Sequence, residues 1–270
     1  MTTTTAPAVP DLLVAIVAAT RRRVDVQTEE ISMAEMERRA AVAAPPDGAF
    51  GEAISRRDRF NVIAECKRRS PSRGVLRMDY DPSSVARSYE ANGAAAISVL
   101  TEPAFFDGSL EHLTGVRQAV RIPILRKDFI VDRYQILEAR AAGASAILLI
   151  VAALPPAELK ALHAHATDAG LDVLVEVHGL DELPAALEAG AHIVGVNNRN
   201  LRTLAVNTEL SGQVVDMLPG DIVKVAESGL KTEEDLRRLQ KAGYSAFLIG
   251  ERFMSADDPG LALREVLPCS

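Results

Sequence analysis

The chain of 270 residues is 48% apolar but only 4% aromatic, which excludes a disordered polymer and requires a core of Ala, Val, Leu and Ile. Thirty basic against 37 acidic residues leave a net charge of −7, and tryptophan is absent; a nucleic-acid partner would call for a basic excess and stacking aromatics. Two cysteines, Cys66 and Cys269, set neither a disulfide framework nor a zinc site and are expected as free thiols in a reducing compartment.

Residues 1–10, with four threonines and two prolines, read as a frayed tail. Leu12 to Val26 and Ile31 to Ala43 have helical spacing, with Met33, Met36 and Ala40 on one face, and Pro45-Pro46-Asp47-Gly48 breaks the pattern. A signal peptide would carry its basic residues first; here Arg21 to Arg23 follow the apolar stretch Leu12 to Ala19. The longest apolar stretch, about Ala144 to Leu154, is too short to cross a bilayer. The expectation is a soluble, cytoplasmic protein with no membrane partner.

From about residue 60 a rhythm of short aliphatic runs and helical stretches begins. Strands are predicted at Asn61–Cys66, Ala95–Leu100, Ile122–Arg126, Ala146–Val151, Asp172–Val177, His192–Asn197, Ile222–Ala226 and Ala246–Ile249, with a last helix from Pro259 to Val266. Four strands follow a similar phrase ending in Gly93-Ala94, Gly143-Ala144, Gly190-Ala191 or Gly243-Tyr244, where glycine can end a helix in a left-handed cap. Runs apolar on both faces suit parallel strands covered by helices. Eight such units predict an α/β fold, a (β/α)8 TIM barrel over 61–270, preceded by an N-terminal helical extension over 1–60. A doubly wound sheet has the same local signature, but the count of eight and the lack of Gly-x-Gly-x-x-Gly after the first strand weigh against it.

In a barrel the chemistry belongs at the carboxyl ends of the strands. There the sequence places Glu65 and Lys67, which share parity, then Lys127, Glu176, Asn197, Glu227 and Glu251. One Lys or Glu could simply close the barrel top as an ion pair. Lysines, glutamates and an asparagine on several strands exceed what stability needs, because buried charges cost several kcal/mol each. Ser228-Gly229 after strand seven and Gly250 after strand eight lie where barrels commonly bind phosphate, and Ser70 could add a hydroxyl. Glu251 is discordant there, since a carboxylate beside a phosphate must turn away.

Taken together, Glu65-Cys66-Lys67-Arg68-Arg69-Ser70-Pro71-Ser72, Leu125-Arg126-Lys127-Asp128-Phe129, Val175-Glu176-Val177-His178, Asn197-Asn198-Arg199-Asn200-Leu201 and Ala226-Glu227-Ser228-Gly229 resemble the indole-3-glycerol phosphate synthase family. The likeness runs in order over nearly the whole chain. It implies conversion of 1-(2-carboxyphenylamino)-1-deoxyribulose 5-phosphate, an anthranilate-derived sugar phosphate, to indole-3-glycerol phosphate with loss of carbon dioxide and water. No cofactor and no metal is implied. By the same resemblance Lys127 is the general acid at the ketone, and Lys67 partners the anthranilate carboxylate, with a proton donation in dehydration also open to it. Glu176 is the second acid–base group, with Glu65 and Asn197 orienting it and the substrate. Which lysine gives which proton stays open.

Arg199, Glu227 and Ser228 are implied on the ribulose and phosphate side, with Gly229, Gly250, Glu251 and Ser70; Phe129 and Leu148 are implied beside the aromatic ring, although ordinary barrel packing explains both equally well. Cys66 has the opposite parity to Glu65 and is expected to pack outward. His178 shares the parity of Glu176 but lies farther out and reads as a loop histidine. The extension is expected to fold over the barrel mouth, with plugging of the barrel as its alternative, and the chain is expected as a monomer or weak homodimer. Two other functions remain to be weighed: a Schiff-base aldolase acting on a sugar phosphate, and a non-catalytic phosphate-binding barrel.

Overall fold

A computed structural model describes residues 11–43, 49–200 and 204–268. The expected tail, the break at Pro45-Pro46-Asp47-Gly48, Leu201 and Cys269 lie outside the described residues. Three helices come first: α1 (Leu12–Glu30), α2 (Met33–Val42) and α3 (Phe50–Ile54). Eight parallel strands follow, β1 (Asn61–Cys66), β2 (Ala96–Leu100), β3 (Ile124–Lys127), β4 (Ala146–Ile150), β5 (Asp172–Val177), β6 (Ile193–Asn197), β7 (Val223–Glu227) and β8 (Ala246–Ile249). Each pairs with its neighbours in sequence, and β8 closes on β1 with Asn61 opposite Ala246 and Ala64 opposite Ile249. The covering helices are α4 (Pro82–Ala91), α5 (Pro103–Phe106), α6 (Leu110–Ala119), α7 (Arg133–Ala141), α8 (Pro156–Asp168), α9 (Leu183–Glu188), α10 (Glu209–Val215), α11 (Glu233–Ala242), α12 (Glu251–Met254) and α13 (Pro259–Arg264). The fold is a (β/α)8 barrel.

The alternation within each strand explains its two-sided burial. Ile63, Leu125, Leu148, Leu174, Val225 and Leu248 fill the barrel interior. Their neighbours Val62, Ala64, Ile147, Val175 and Ala226 pack outward under the helices. Cys66 belongs to this outer layer, fully buried, so its thiol is pushed well above its ordinary value by burial and then by the Glu65 charge. Gly93, Gly143, Gly190 and Gly243 all take positive φ at the turns between helix and strand, where a side chain would be strained.

Two strands sit farther toward the mouth than their apolar runs suggest. Pro123, which has no N–H for the ladder, delays β3, while the Lys127 carbonyl accepts from Thr101 N–H at 3.1 Å and prolongs it. The Glu227 carbonyl likewise accepts from Asn198 N–H at 3.0 Å and prolongs β7. Lys127 and Glu227 therefore stand on strand ends rather than in loops.

The N-terminal segment divides three ways. Leu13 and Ile16 of α1 join the inner cluster, with Leu12 packed against it at the mouth. Met36 and Ala40 of α2 pack on Tyr134 and Leu137 of α7, at the barrel's flank. Phe50 and Ile54 of α3 enter the barrel interior, and Gly51 N–H donates to Asp172 at the amino end of β5 (2.9 Å), so α3 closes the opposite end. The described part of the extension is thus shared among mouth, flank and base, where the open end of the barrel needs an apolar seal.

Candidate active site

A cleft opens at the carboxyl ends of the strands. Glu65, Lys67, Ser70, Lys127, Phe129, Leu148, Glu176, Asn197, Arg199, Glu227, Ser228, Gly250 and Glu251 all line it. Gly229 does not; it stands behind Ser228 with φ +81°, where an added Cβ would press on Val206 and Thr208.

The charged floor has two lysines, each with its own carboxylate. Lys67 Nζ donates to Glu65 Oε1. Lys127 Nζ donates to Glu176 Oε2 at 3.0 Å and lies 3.8 Å from Glu227 Oε2. Burial opposes the Lys127 ammonium, but the charges of Glu176, Glu227 and Glu65 outweigh it and hold the amine protonated well above its ordinary range. The two glutamates then divide. Burial acts against ionised Glu176, yet Lys127 and His178 keep its carboxyl far below the usual range. Burial and the Glu176 charge hold Glu227 far above it.

This pair meets because β6 carries a glycine between them. Gly195 is registered with Glu176 on β5, and Glu227 folds across it from β7. A Cβ at Gly195 would run into Glu227 Oε1, and one at Gly250 would run into Glu65. Both glycines are therefore gaps that the carboxylates occupy.

On the other side of the floor, Ser228 adopts left-handed φ (+65°), which is uncommon outside glycine. Asn198 holds it there, donating through Nδ2 to the Ser228 carbonyl at 3.1 Å while its Oδ1 accepts from Ser211. Asn197 Oδ1 accepts from Arg199 N–H at 3.0 Å and shapes the turn after β6. Glu251 does not turn away from the cleft. It accepts from Arg73 Nε (2.9 Å) and Arg199 Nη2 (3.1 Å), and although burial opposes it, these two arginines keep its carboxyl below the ordinary range.

The family profile described as indole-3-glycerol phosphate synthase matches residues 13–266. The chain belongs to that family. An indole-3-glycerol phosphate synthase of Koribacter versatilis is 48% identical over 257 residues, covering 94% of this chain and 98% of that protein. One of Sulfurimonas denitrificans is 46% identical over 253 residues, covering 93% and 96%. Among solved structures, a thiamine phosphate pyrophosphorylase of Pyrococcus furiosus superposes with a TM-score of 0.58 at 20% identity, over 77% of this chain and 93% of that one, which speaks for the barrel alone.

Within this indole-3-glycerol phosphate synthase family member, several cleft residues escape sequence reasoning. Leu12, Leu13 and Ile16 form an apolar wall opposite Phe106, Phe129 and Ile150. Their helix is fastened by Arg23, whose guanidinium lies 3.4 Å from Asp128 and 3.7 Å from Glu102, both buried. Asp128 also accepts from Thr101 Oγ1 (2.6 Å) and Phe129 N–H (2.8 Å), and Glu102 caps α5, which carries Phe106. Arg126, outward from β3, ties Thr101, Asp128 and Glu138 together. No spacing rule links Arg23 to residues a hundred positions away.

His178 stands in the loop directly after β5, as expected, but it is not remote from the site. Its Nε2 lies 3.1 Å from Glu176 Oε1, and its Nδ1 lies 3.7 Å from Glu182. Among the described residues no cluster of three or more His, Cys, Asp or Glu is arranged to hold a metal, and no helix is long and apolar enough to cross a membrane.

Proposed function

We propose that Lys127, Lys67 and Glu176 carry the acid–base work of this enzyme, with Glu65 and Asn197 orienting them. The reaction is that of an indole-3-glycerol phosphate synthase, a decarboxylating carbon–carbon lyase of tryptophan biosynthesis. The observation that carries the assignment is the Lys127 ammonium at the cleft floor, 3.0 Å from Glu176 and 3.8 Å from Glu227.

The substrate, 1-(2-carboxyphenylamino)-1-deoxyribulose 5-phosphate, has an aromatic ring at one end and a phosphate at the other. The ring fits the apolar wall of Leu12, Leu13, Ile16, Phe106, Phe129 and Leu148. The phosphate fits the loops after β7 and β8 at Ser228, Gly229, Gly250 and Glu251, near Arg199 and Ser70. Its arrival requires the Glu251 carboxylate to yield Arg199 and Arg73, since two anions cannot share those cations.

The ketone then lies toward Lys127. As the ring carbon bearing the carboxylate attacks the ketone carbon, a C–C bond forms and Lys127 gives a proton to the oxygen, stabilising the developing alkoxide in a site shielded from water. Lys67 pairs with the carboxylate until carbon dioxide departs. Departure of carbon dioxide restores the benzene ring; the new hydroxyl then takes a proton from Lys67 and leaves as water while Glu176 removes a proton, which completes the indole. A Schiff-base aldolase would need Lys127 unprotonated, which its three carboxylates oppose. A phosphate-binding scaffold would have no use for the two lysine–glutamate pairs.

The test is indole fluorescence on mixing enzyme and substrate, with Lys127→Ala alongside; the absence of tryptophan keeps the background low. A signal from the wild type that disappears in the variant is expected, and an equal signal from both would remove Lys127 from the mechanism. We further propose a cytoplasmic monomer or weak homodimer that binds no nucleic acid; its sedimentation at micromolar concentration reads the assembly state.

A further inference from the structure

We propose that His178, backed by Glu182, is a positioning residue that fixes the orientation and the charge of Glu176. This inference rests on the reading of Glu176 as an acid–base group. The strand β5 ends at Val177, and the backbone turns sharply enough for the Glu182 carboxylate to accept from His178 N–H at 2.7 Å. The same carboxylate lies 3.7 Å from His178 Nδ1, and His178 Nε2 lies 3.1 Å from Glu176 Oε1, at ion-pair distance without the alignment of a hydrogen bond. The imidazole side chain is only 9% exposed and does not line the cleft.

The result is a row of alternating charge, Glu182, His178, Glu176 and Lys127, followed by Glu227 and, farther off, Glu65. Of these, Glu176 and Glu182 face the imidazole, while Lys127 and Glu227 face the other side of Glu176. The row answers a problem that the reaction sets. When Lys127 gives its proton to the ketone oxygen, Glu176 loses the cation that holds it ionised. A fully buried carboxylate beside a second carboxyl would then recapture a proton and cease to be a base. An imidazolium on the far oxygen keeps Glu176 charged and prevents its rotation through that step. Burial works against that imidazolium, but its contacts with Glu176 and Glu182 push its titration up to about 9.

The experiment compares wild type, His178→Gln, His178→Lys, Glu182→Gln and Glu176→Gln by kcat and KM from pH 6 to 10, with the His178 ring titrated by NMR. Glutamine at 182 can still accept the backbone N–H, so that variant removes charge alone. Expected are a ring titration near pH 9 in the wild type and an alkaline fall in kcat that follows it. Both move down by about one pH unit in Glu182→Gln. His178→Gln lowers kcat about ten- to a hundredfold with KM little changed, and His178→Lys restores most of it. Unchanged kcat and pH profile in His178→Gln overturn the inference; if that variant does not fold, an unmoved titration and alkaline limb in Glu182→Gln do so. Full activity in Glu176→Gln would instead remove the underlying reading of Glu176, whereas an inactive Glu176→Gln beside a wild-type-like His178→Gln removes only the role of His178.

Discussion

At the scale of single residues, two buried carboxyls of one chemical type titrate in opposite directions because of what surrounds them. Glu176 is held far below the usual carboxyl range and Glu227 far above it, although both touch the same lysine. Replacing each by glutamine separates the two. Glu227→Gln, which mimics a neutral acid, is expected to lose far less kcat than Glu176→Gln, whose loss should reach about a thousandfold; equal losses would contradict the division of charge. His178 adds a dependence on pH that stability can report. Its folded value of about 9 stands above the ordinary 6.5. Its stabilisation is therefore fully present below pH 6.5 and is lost as pH rises through 9. The difference in Tm between wild type and His178→Gln should shrink over that interval, and a constant difference would deny it.

At the scale of elements, the site depends on gaps and fasteners as much as on reactive groups. Gly195 on β6 leaves the room in which Glu227 crosses toward Glu176. Gly195→Ala should displace Glu227 and lower kcat strongly while the far-UV CD spectrum stays that of the wild type; unaltered kinetics would show that the pair tolerates separation. Helix α1 is fastened through Arg23 to the loops that carry Phe106 and Phe129. Arg23→Ala should therefore raise KM by about tenfold, with a smaller change in kcat, because it loosens a wall of the cleft rather than its floor. Steady-state kinetics distinguish these two classes directly.

At the scale of the whole molecule, the segment that precedes the barrel walls the cleft with α1 at one end and closes the other end with α3. Phe50 is fully buried at the base, opposite the chemistry. Phe50→Ala is expected to cost about 3–5 kcal/mol in denaturant unfolding while leaving KM near that of the wild type. A large change in KM without a loss of stability would place α3 in the site rather than beneath it.

The repeating aliphatic runs and the glycines at the helix ends define the barrel, and the shared parity of Glu65 and Lys67 with the carboxyl-end positions of Lys127 and Glu176 points to the residues that line its mouth, because strand alternation and the carboxyl-end rule are local properties of the chain. Strands β3 and β7 run one residue beyond their apolar runs, to Lys127 and Glu227, since hydrogen bonds from Thr101 and Asn198 on neighbouring segments extend them. Tertiary structure alone decided the rest: the split of α1 and α3 to opposite ends, the anchoring of Arg23, the space above Gly195 and the contact of His178 with Glu176. Each of these depends on groups distant in sequence meeting where water is scarce, and there the partner, not the residue type, determines which carboxyl keeps its proton.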